Sequence, residues 1–158
     1  MIKSGALNKK KGTFRRLLIE DLSGFPRVVY SEMMIAASYS KCRRRKVGAA
    51  TGTFRGDVVS AWNATDCDLS APCAHEGMGE GTNQACNGTH AEIILLRKIE
   101  RERQFIDFLC VTTFPCEDCA RAIVEAKIGR VYYKDAYGGN LALDFLLESG
   151  VDVIHIIH

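Results

Sequence analysis

The sequence predicts an α/β domain of three layers, α/β/α, built around a mixed five-stranded sheet. Two observations predict it. From residue 90 onward, apolar runs of strand character alternate with amphipathic helical segments, the pattern of a layered sheet with parallel pairing. Ahead of that, two short β-type runs are joined through Arg55-Gly56 and read as a hairpin, which adds an antiparallel pair. A length of 158 residues suits one well-packed domain of this kind.

The elements follow in order. Residues 1–12 read as a mobile basic tail, and Thr13–Asp21 as a short helix, so residues 1–24 stand apart from a domain over 25–158. "GFPRVVYSEMMIAASYS" places Val28, Val29, Met33, Ile35 and Ala36 at helical spacing after Pro26. "VGAATGTF" and "DVVSAWN" form the hairpin. Residues 64–89 are rich in Gly, Asp, Asn and Cys and show no apolar period; a loop of that length inside a compact domain signals function or an added constraint. "HAEIILLRKIERER" is a helix and "FIDFLCVTTF" holds a strand. "CEDCARAIVEAKI" is a helix stopped near Gly129, "RVYYK" a strand, "GNLALDFLLESG" a helix, and "VDVIHII" the closing strand.

Composition bounds the function. Hydrophobic residues at 47% with 25% charged are ordinary for a soluble globular protein, and no apolar run approaches the roughly 20 residues of a membrane helix. The basic N-terminus lacks an apolar core, so no secretory signal is read. Seven cysteines, an odd number, without an export signal predict a reduced, cytoplasmic chain using thiols for metal rather than disulfides. A net charge of +2 and 8% aromatics give little support for nucleic-acid binding. Positive charge does cluster at Lys9–Lys11, Arg15–Arg16 and "KCRRRK", residues 41–46. Such runs are solvated surface or phosphate contacts.

"FPCEDCA" spaces Cys116 and Cys119 three apart behind a proline. A bare C-x-x-C fits redox exchange, half of a structural zinc site or catalysis. The partner lies upstream, where "THAE" puts His90 and Glu92 at the start of a helix. Cys116 and Cys119 also open a helix, whose partial positive charge favours thiolates. One imidazole and two thiolates give zinc three protein ligands and leave a fourth position for water, the arrangement of a catalytic site. Glu92 is then the candidate proton shuttle.

H-x-E followed by P-C-x-x-C is the signature of zinc-dependent nucleobase deaminases. Within that cytidine/deoxycytidylate deaminase superfamily the chain most resembles deoxycytidylate (dCMP) deaminases, from about Arg27 to the end. The likeness rests on "SKCRRRKVGAA", "AWNA", "HAE", "TTFPCEDCARAIVEAKIGRVYY" and "LLESGVDV". It implies a cytidine-deaminase-like fold and zinc held by His90, Cys116 and Cys119 at the N-termini of two adjacent helices. Glu92 moves protons between water, the ring N3 and the leaving amine, and dCMP becomes dUMP and ammonia. It further implies that Asn63 bonds the sugar hydroxyl, that the Ala91 N–H faces the pyrimidine carbonyl, and that Tyr137 walls the nucleotide site. Asn63 as a strand-end turn residue and Tyr137 as half-exposed packing are the plainer alternatives. A homo-oligomer, commonly a hexamer, is implied as well.

The family's G-Y-N-G, which in many members helps bind a nucleoside triphosphate regulator, reads Ala61-Trp62-Asn63-Ala64. Regulation by dCTP and dTTP is therefore the least supported family property here. Ile94 replaces an asparagine common two residues after the glutamate. For the substrate phosphate, Arg43, Arg44, Arg45, Lys46, Arg55 and Lys134 are candidates. Cys67, Cys73, His75 and Cys86 in the odd loop make a second, structural zinc site, with Asp66, Asp68 or Glu76 as substitutes for one ligand and free surface thiols as the alternative. Some dCMP deaminases are similar in carrying such a metal. Cys42 and Cys110 read as packed thiols, and His155 and His158 have no partner motif. Two other readings stand: deamination of another cytosine or purine substrate (modified dCMP, dCTP or a tRNA base), and a non-catalytic zinc protein that binds partners.

Overall fold

A computed structural model describes residues 10–65, 88–101 and 106–158. Its six-stranded sheet contains β1 (Phe14–Leu18), β2 (Gly48–Gly52), β3 (Val58–Trp62), β6 (Phe108–Thr113), β7 (Arg130–Asp135) and β8 (Asp152–Ile157). The strand order is β1-β8-β7-β6-β2-β3, parallel from β1 to β6 and antiparallel from β6 to β3. Two further strands, β4 (Ala64–Thr65) and β5 (Gly88–Thr89), pair antiparallel and close the base of the loop between them.

Strand alternation assigns the layers. Leu109, Val111, Val131, Tyr133 and Val153 point into a core with α2 (Ala91–Lys98), α3 (Glu117–Glu125) and α4 (Leu141–Glu148). Their neighbours Cys110, Tyr132 and Ile154 point to the opposite face and pack on Val29, Tyr30 and Met33 of α1 (Gly24–Ser38). The expected three-layer α/β/α mixed sheet is thus present. No helix among the described residues is long and apolar enough to cross a membrane.

Two expectations are corrected. The sheet has six strands rather than five, and the extra one comes from the segment expected to be helical. Phe14–Leu18 forms β1, parallel to β8, and only Ile19–Asp21 turns into a short 3-10 helix. A nine-residue segment is too short to nucleate a stable helix on local energetics, whereas the open edge of β8 offers it a ladder of hydrogen bonds. Asp152 anchors the strand's start: its Oδ1 accepts from the Thr13 N–H at 2.8 Å and the Thr13 hydroxyl at 3.0 Å. The Thr13 N–H is also the leading reason the Asp152 carboxyl sits below its ordinary pKa. Both His155 and His158 are structural. His155 stacks on Tyr133 with ring centroids 4.5 Å apart and donates from Nε2 to the Lys134 carbonyl, while His158 Nε2 lies 2.8 Å from the Tyr30 hydroxyl.

α1 lies close on β2 because Gly48 has no side chain: a Cβ there would collide with the Met33 carbonyl oxygen and the Ala37 nitrogen of the helix backbone. Gly48→Ala should therefore destabilise the fold by about 1–3 kcal/mol, since neither backbone can yield without separating the layers. A urea-unfolding midpoint indistinguishable from wild type would show that α1 does not seat this way.

Candidate active site

Three stretches of chain converge where β3 and β6 end and α2 and α3 begin. His90 is the N-cap of α2 and Cys116 the N-cap of α3, both in extended backbone conformation, and Cys119 lies in the first turn of α3. The sequence forces this placement: Pro115 follows Phe114 and starts the turn, so the two thiols straddle the helix start. α2 packs against α3, which brings the two N-termini side by side.

His90 Nδ1 lies 3.3 Å from Cys119 Sγ and 3.5 Å from Cys116 Sγ. All three donor atoms fall within 4.8 Å of one another, and this is the one such group among the described residues. Zinc bonds of about 2.3 Å to sulfur and 2.0–2.1 Å to nitrogen, at near-tetrahedral angles, put such atoms roughly 3.6 Å apart. The donor set therefore fits zinc in both chemistry and spacing. The protonation pattern is that of a tightly coupled group. Hydrogen bonds from Cys119 and then His90 draw the Cys116 thiol down to about 3. The hydrogen bond with Cys116, then burial, pushes Cys119 up, and the hydrogen bond with Cys116 raises His90.

Glu92 follows on the first turn of α2 and is only 3% exposed. Burial lifts its carboxyl to about 6, opposed by its own backbone N–H, the His90 charge and a contact with Cys119. No Lys or Arg forms an ion pair with it among the described residues. A buried carboxyl with a pKa near neutrality beside a metal-ligating set can both take and return a proton.

A cavity opens above this group. It is lined by His90, Ala91 and Glu92 from the start of α2, by Thr113, Phe114 and Cys116 from the β6–α3 junction, and by Trp62, Asn63 and Ala64 from the end of β3 onward. Lys41, Arg44, Arg45 and Tyr137 line it as well. Ala91 is the first residue of α2, where a backbone N–H has no intrahelical acceptor. Of the phosphate candidates, Arg44 and Arg45 face the cavity. Arg43 and Lys46 share their loop without lining it, Arg55 lies over Phe54 in the β2–β3 turn, and Lys134 pairs with Asp135 at 3.2 Å. Tyr137 meets Arg45, whose guanidinium carbon sits 4.6 Å from the ring centroid.

Cys110 is buried as expected, but Cys42 is not simply packed: it is half-buried and lines the cavity, because residues 41–47 form a loop beside the site. Lys41, Thr113 and Trp62 are site-lining residues the sequence did not single out. The signals available were the position of Lys41 in the cationic run and the place of Trp62, the chain's one tryptophan, beside Asn63. Cys67, Cys73, His75 and Cys86 lie outside the described residues. The β4–β5 ladder brings the two ends of their loop together next to His90.

A three-layer α/β fold with an imidazole and two thiols at paired helix N-termini, and a buried carboxyl beside them, defines a zinc-dependent deaminase class. Residues 26–135 match the family described as the cytidine and deoxycytidylate deaminase zinc-binding region, and the chain belongs to that family. Among solved structures it is similar to the dCMP deaminase from the cyanophage S-TIM5. The complex of that enzyme with dCMP and dUMP is 29% identical at a TM-score of 0.65, covering 82% of this chain and 97% of that one. Its apo form is 27% identical at 0.64, covering 81% and 94%. A tRNA:A34 deaminase shares the fold at 22% identity and a TM-score of 0.53, covering 82% and 98%.

Glu92→Gln removes the titrating group and keeps its shape. The variant should bind as much zinc as wild type, by elemental analysis, and lose deaminase turnover by about 100-fold or more. Retained activity would remove Glu92 from the proton path.

Proposed function

We propose that the chain is a dCMP deaminase, converting dCMP and water to dUMP and ammonia in the supply of pyrimidine deoxynucleotides. The observation that carries this reading is one cavity lined both by His90 and Cys116 of the metal-ligating set with the buried acid Glu92, and by two arginines and a lysine. A base needs the metal ligands and the acid, and a phosphate needs the cations. The dCMP and dUMP bound by the S-TIM5 enzyme support the same substrate class.

In this reading His90, Cys116 and Cys119 hold zinc, whose chemistry when bound is activation of water for attack at C4. Glu92 takes a proton from that water and delivers it to N3, then carries the second to the departing amine, so that ammonia leaves and the carbonyl forms. Burial of Glu92 keeps its carboxyl poised for both transfers. The Ala91 N–H bonds the pyrimidine carbonyl oxygen in this reading, and Phe114 lines the same cavity. Arg44 and Arg45 bind the 5′-phosphate, Arg45 being steadied by the Tyr137 ring. The catalytic unit in this reading is residues 25–158 together with β1, whose pairing with β8 makes it part of the same sheet. Association into a homo-oligomer belongs to it too, with the exposed apolar side chains Val28, Met34 and Ile35 of α1 as the available surface.

The test is substrate preference. With zinc bound, kcat/KM for dCMP should exceed that for deoxycytidine by about 100-fold or more, the worth of two charge-assisted hydrogen bonds to phosphate. Equal use of both, or turnover of neither, would refute the nucleotide reading.

We also propose a second zinc held by Cys67, Cys73, His75 and Cys86. The 26-residue span from Ala64 to Thr89 is poor in apolar residues and cannot order itself by burial, while its ends are already tied by β4 and β5. Purified protein should carry two zinc ions per chain, falling to one in Cys67→Ser with the catalytic zinc retained. A stoichiometry of one in wild type would contradict it.

A further inference from the structure

The connection from α1 to β2 passes through Lys41–Lys46, which lies in neither helix nor strand and carries five positive charges in six residues. Like charges at that density repel and splay a loop. Both ends of this one are tied down by the same side chain. At the near end Ser40, only 2% exposed, donates from its hydroxyl to Asn63 Oδ1 at 2.6 Å and accepts from the Cys42 N–H at 3.2 Å. At the far end the Val47 N–H donates to the same Asn63 Oδ1 at 2.9 Å, the Asn63 N–H donates to the Val47 carbonyl at 3.1 Å, and Asn63 Nδ2 donates to the Arg45 carbonyl at 2.8 Å.

This use of the amide nearly exhausts it. Both acceptor positions of Oδ1 are filled and one Nδ2 hydrogen is committed, which leaves a single N–H for anything else. Between the tied ends, Lys41, Arg44 and Arg45 line the same cavity as His90 and Glu92.

We infer that Ser40 and Asn63 form a clamp that holds the Lys41–Lys46 strap over the cavity as a preformed reader of the substrate phosphate. Asn63 thereby also acts as a positioning residue through the arginines, with one Nδ2 hydrogen left over for the substrate. The inference rests on the nucleotide reading of this site. A strap already fixed across the cavity does not have to be ordered when an anion arrives, so the clamp lowers the cost of binding a phosphate. A bound nucleoside, lacking the phosphate, gains nothing from it.

Ser40→Ala and Asn63→Ala separate the two roles. Ser40→Ala should raise KM for dCMP about 10- to 100-fold with kcat within a few-fold of wild type and leave kcat/KM for deoxycytidine within about twofold. Asn63→Ala, by contrast, should lower kcat/KM for both substrates and for dCMP the more. Zinc content and thermal unfolding identify any variant that fails to fold; Ser40→Ala removes a single hydroxyl and keeps the test open if Asn63→Ala does not fold. Equal losses on both substrates in Asn63→Ala, with Ser40→Ala unchanged, would overturn the clamp in favour of a sugar contact. A readout free of turnover is the fluorescence of Trp62, the one tryptophan, which lines the same cavity. Titration with inorganic phosphate should saturate in wild type and weaken about 10-fold or more in Ser40→Ala. Equal titrations, or none in wild type, would overturn the clamp. A clamp-dependent phosphate titration in a protein that does not turn over dCMP would keep the clamp and sink only the substrate assignment.

Discussion

Two helix N-termini meeting edge to edge are the constraint on which the rest of this molecule depends. His90 caps α2 and Cys116 caps α3, and their donor atoms stand 3.5 Å apart only because α2 and α3 pack together on one face of the sheet. Each helix end leaves backbone N–H groups without intrahelical acceptors and presents partial positive charge. Thiolates, and later the anionic character that develops on a reacting base, are stabilised there. The same junction places Glu92 in the first turn of α2, where it is buried against the site rather than solvated.

The sheet supplies the geometry that lets the helices meet. β6 is the hinge of the topology, parallel to β7 and antiparallel to β2. Chain leaving β6 enters α3, whereas β2 starts and β3 ends on the side where the chain enters α2. The cavity forms at that change of direction, the usual place for a site in an open α/β sheet. On the other face, α1 sits against β2 with only Gly48 between the backbones. That close seat fixes where α1 ends and hence where the cationic strap begins. The metal-ligating group and the cationic loop are thus held from opposite layers and joined through the β2–β3 hairpin, where Asn63 lies.

Much of this was legible in the sequence, and the limits have physical causes. The ligand set was readable because each half is a compact motif at the start of a helix, and helix starts carry local signals. β7 and β8 were readable because "RVYYK" and "VDVIHII" carry β-branched and aromatic residues next to clear turn signals. β1 was not. "FRRLL" has mostly exposed side chains, and its strand state comes from pairing with a partner more than 130 residues away, as in Thr13 to Asp152. The clamp was equally hidden. Ser40 and Asn63 are 23 positions apart and of residue types common in turns, so only their shared geometry distinguishes them. For the same reason the sequence offered six cations for the phosphate and only the fold separates Arg44 and Arg45 from the others.

The most direct test of the central claim is a crystal structure of the zinc-loaded protein with dUMP, with anomalous diffraction recorded at the zinc edge. The account predicts a zinc peak bonded to His90 Nδ1, Cys116 Sγ and Cys119 Sγ, with a non-protein atom in the fourth position, the uracil ring against it and the phosphate at Arg44 and Arg45. A zinc closed by four protein ligands, or dUMP bound away from the paired helix ends, would contradict it.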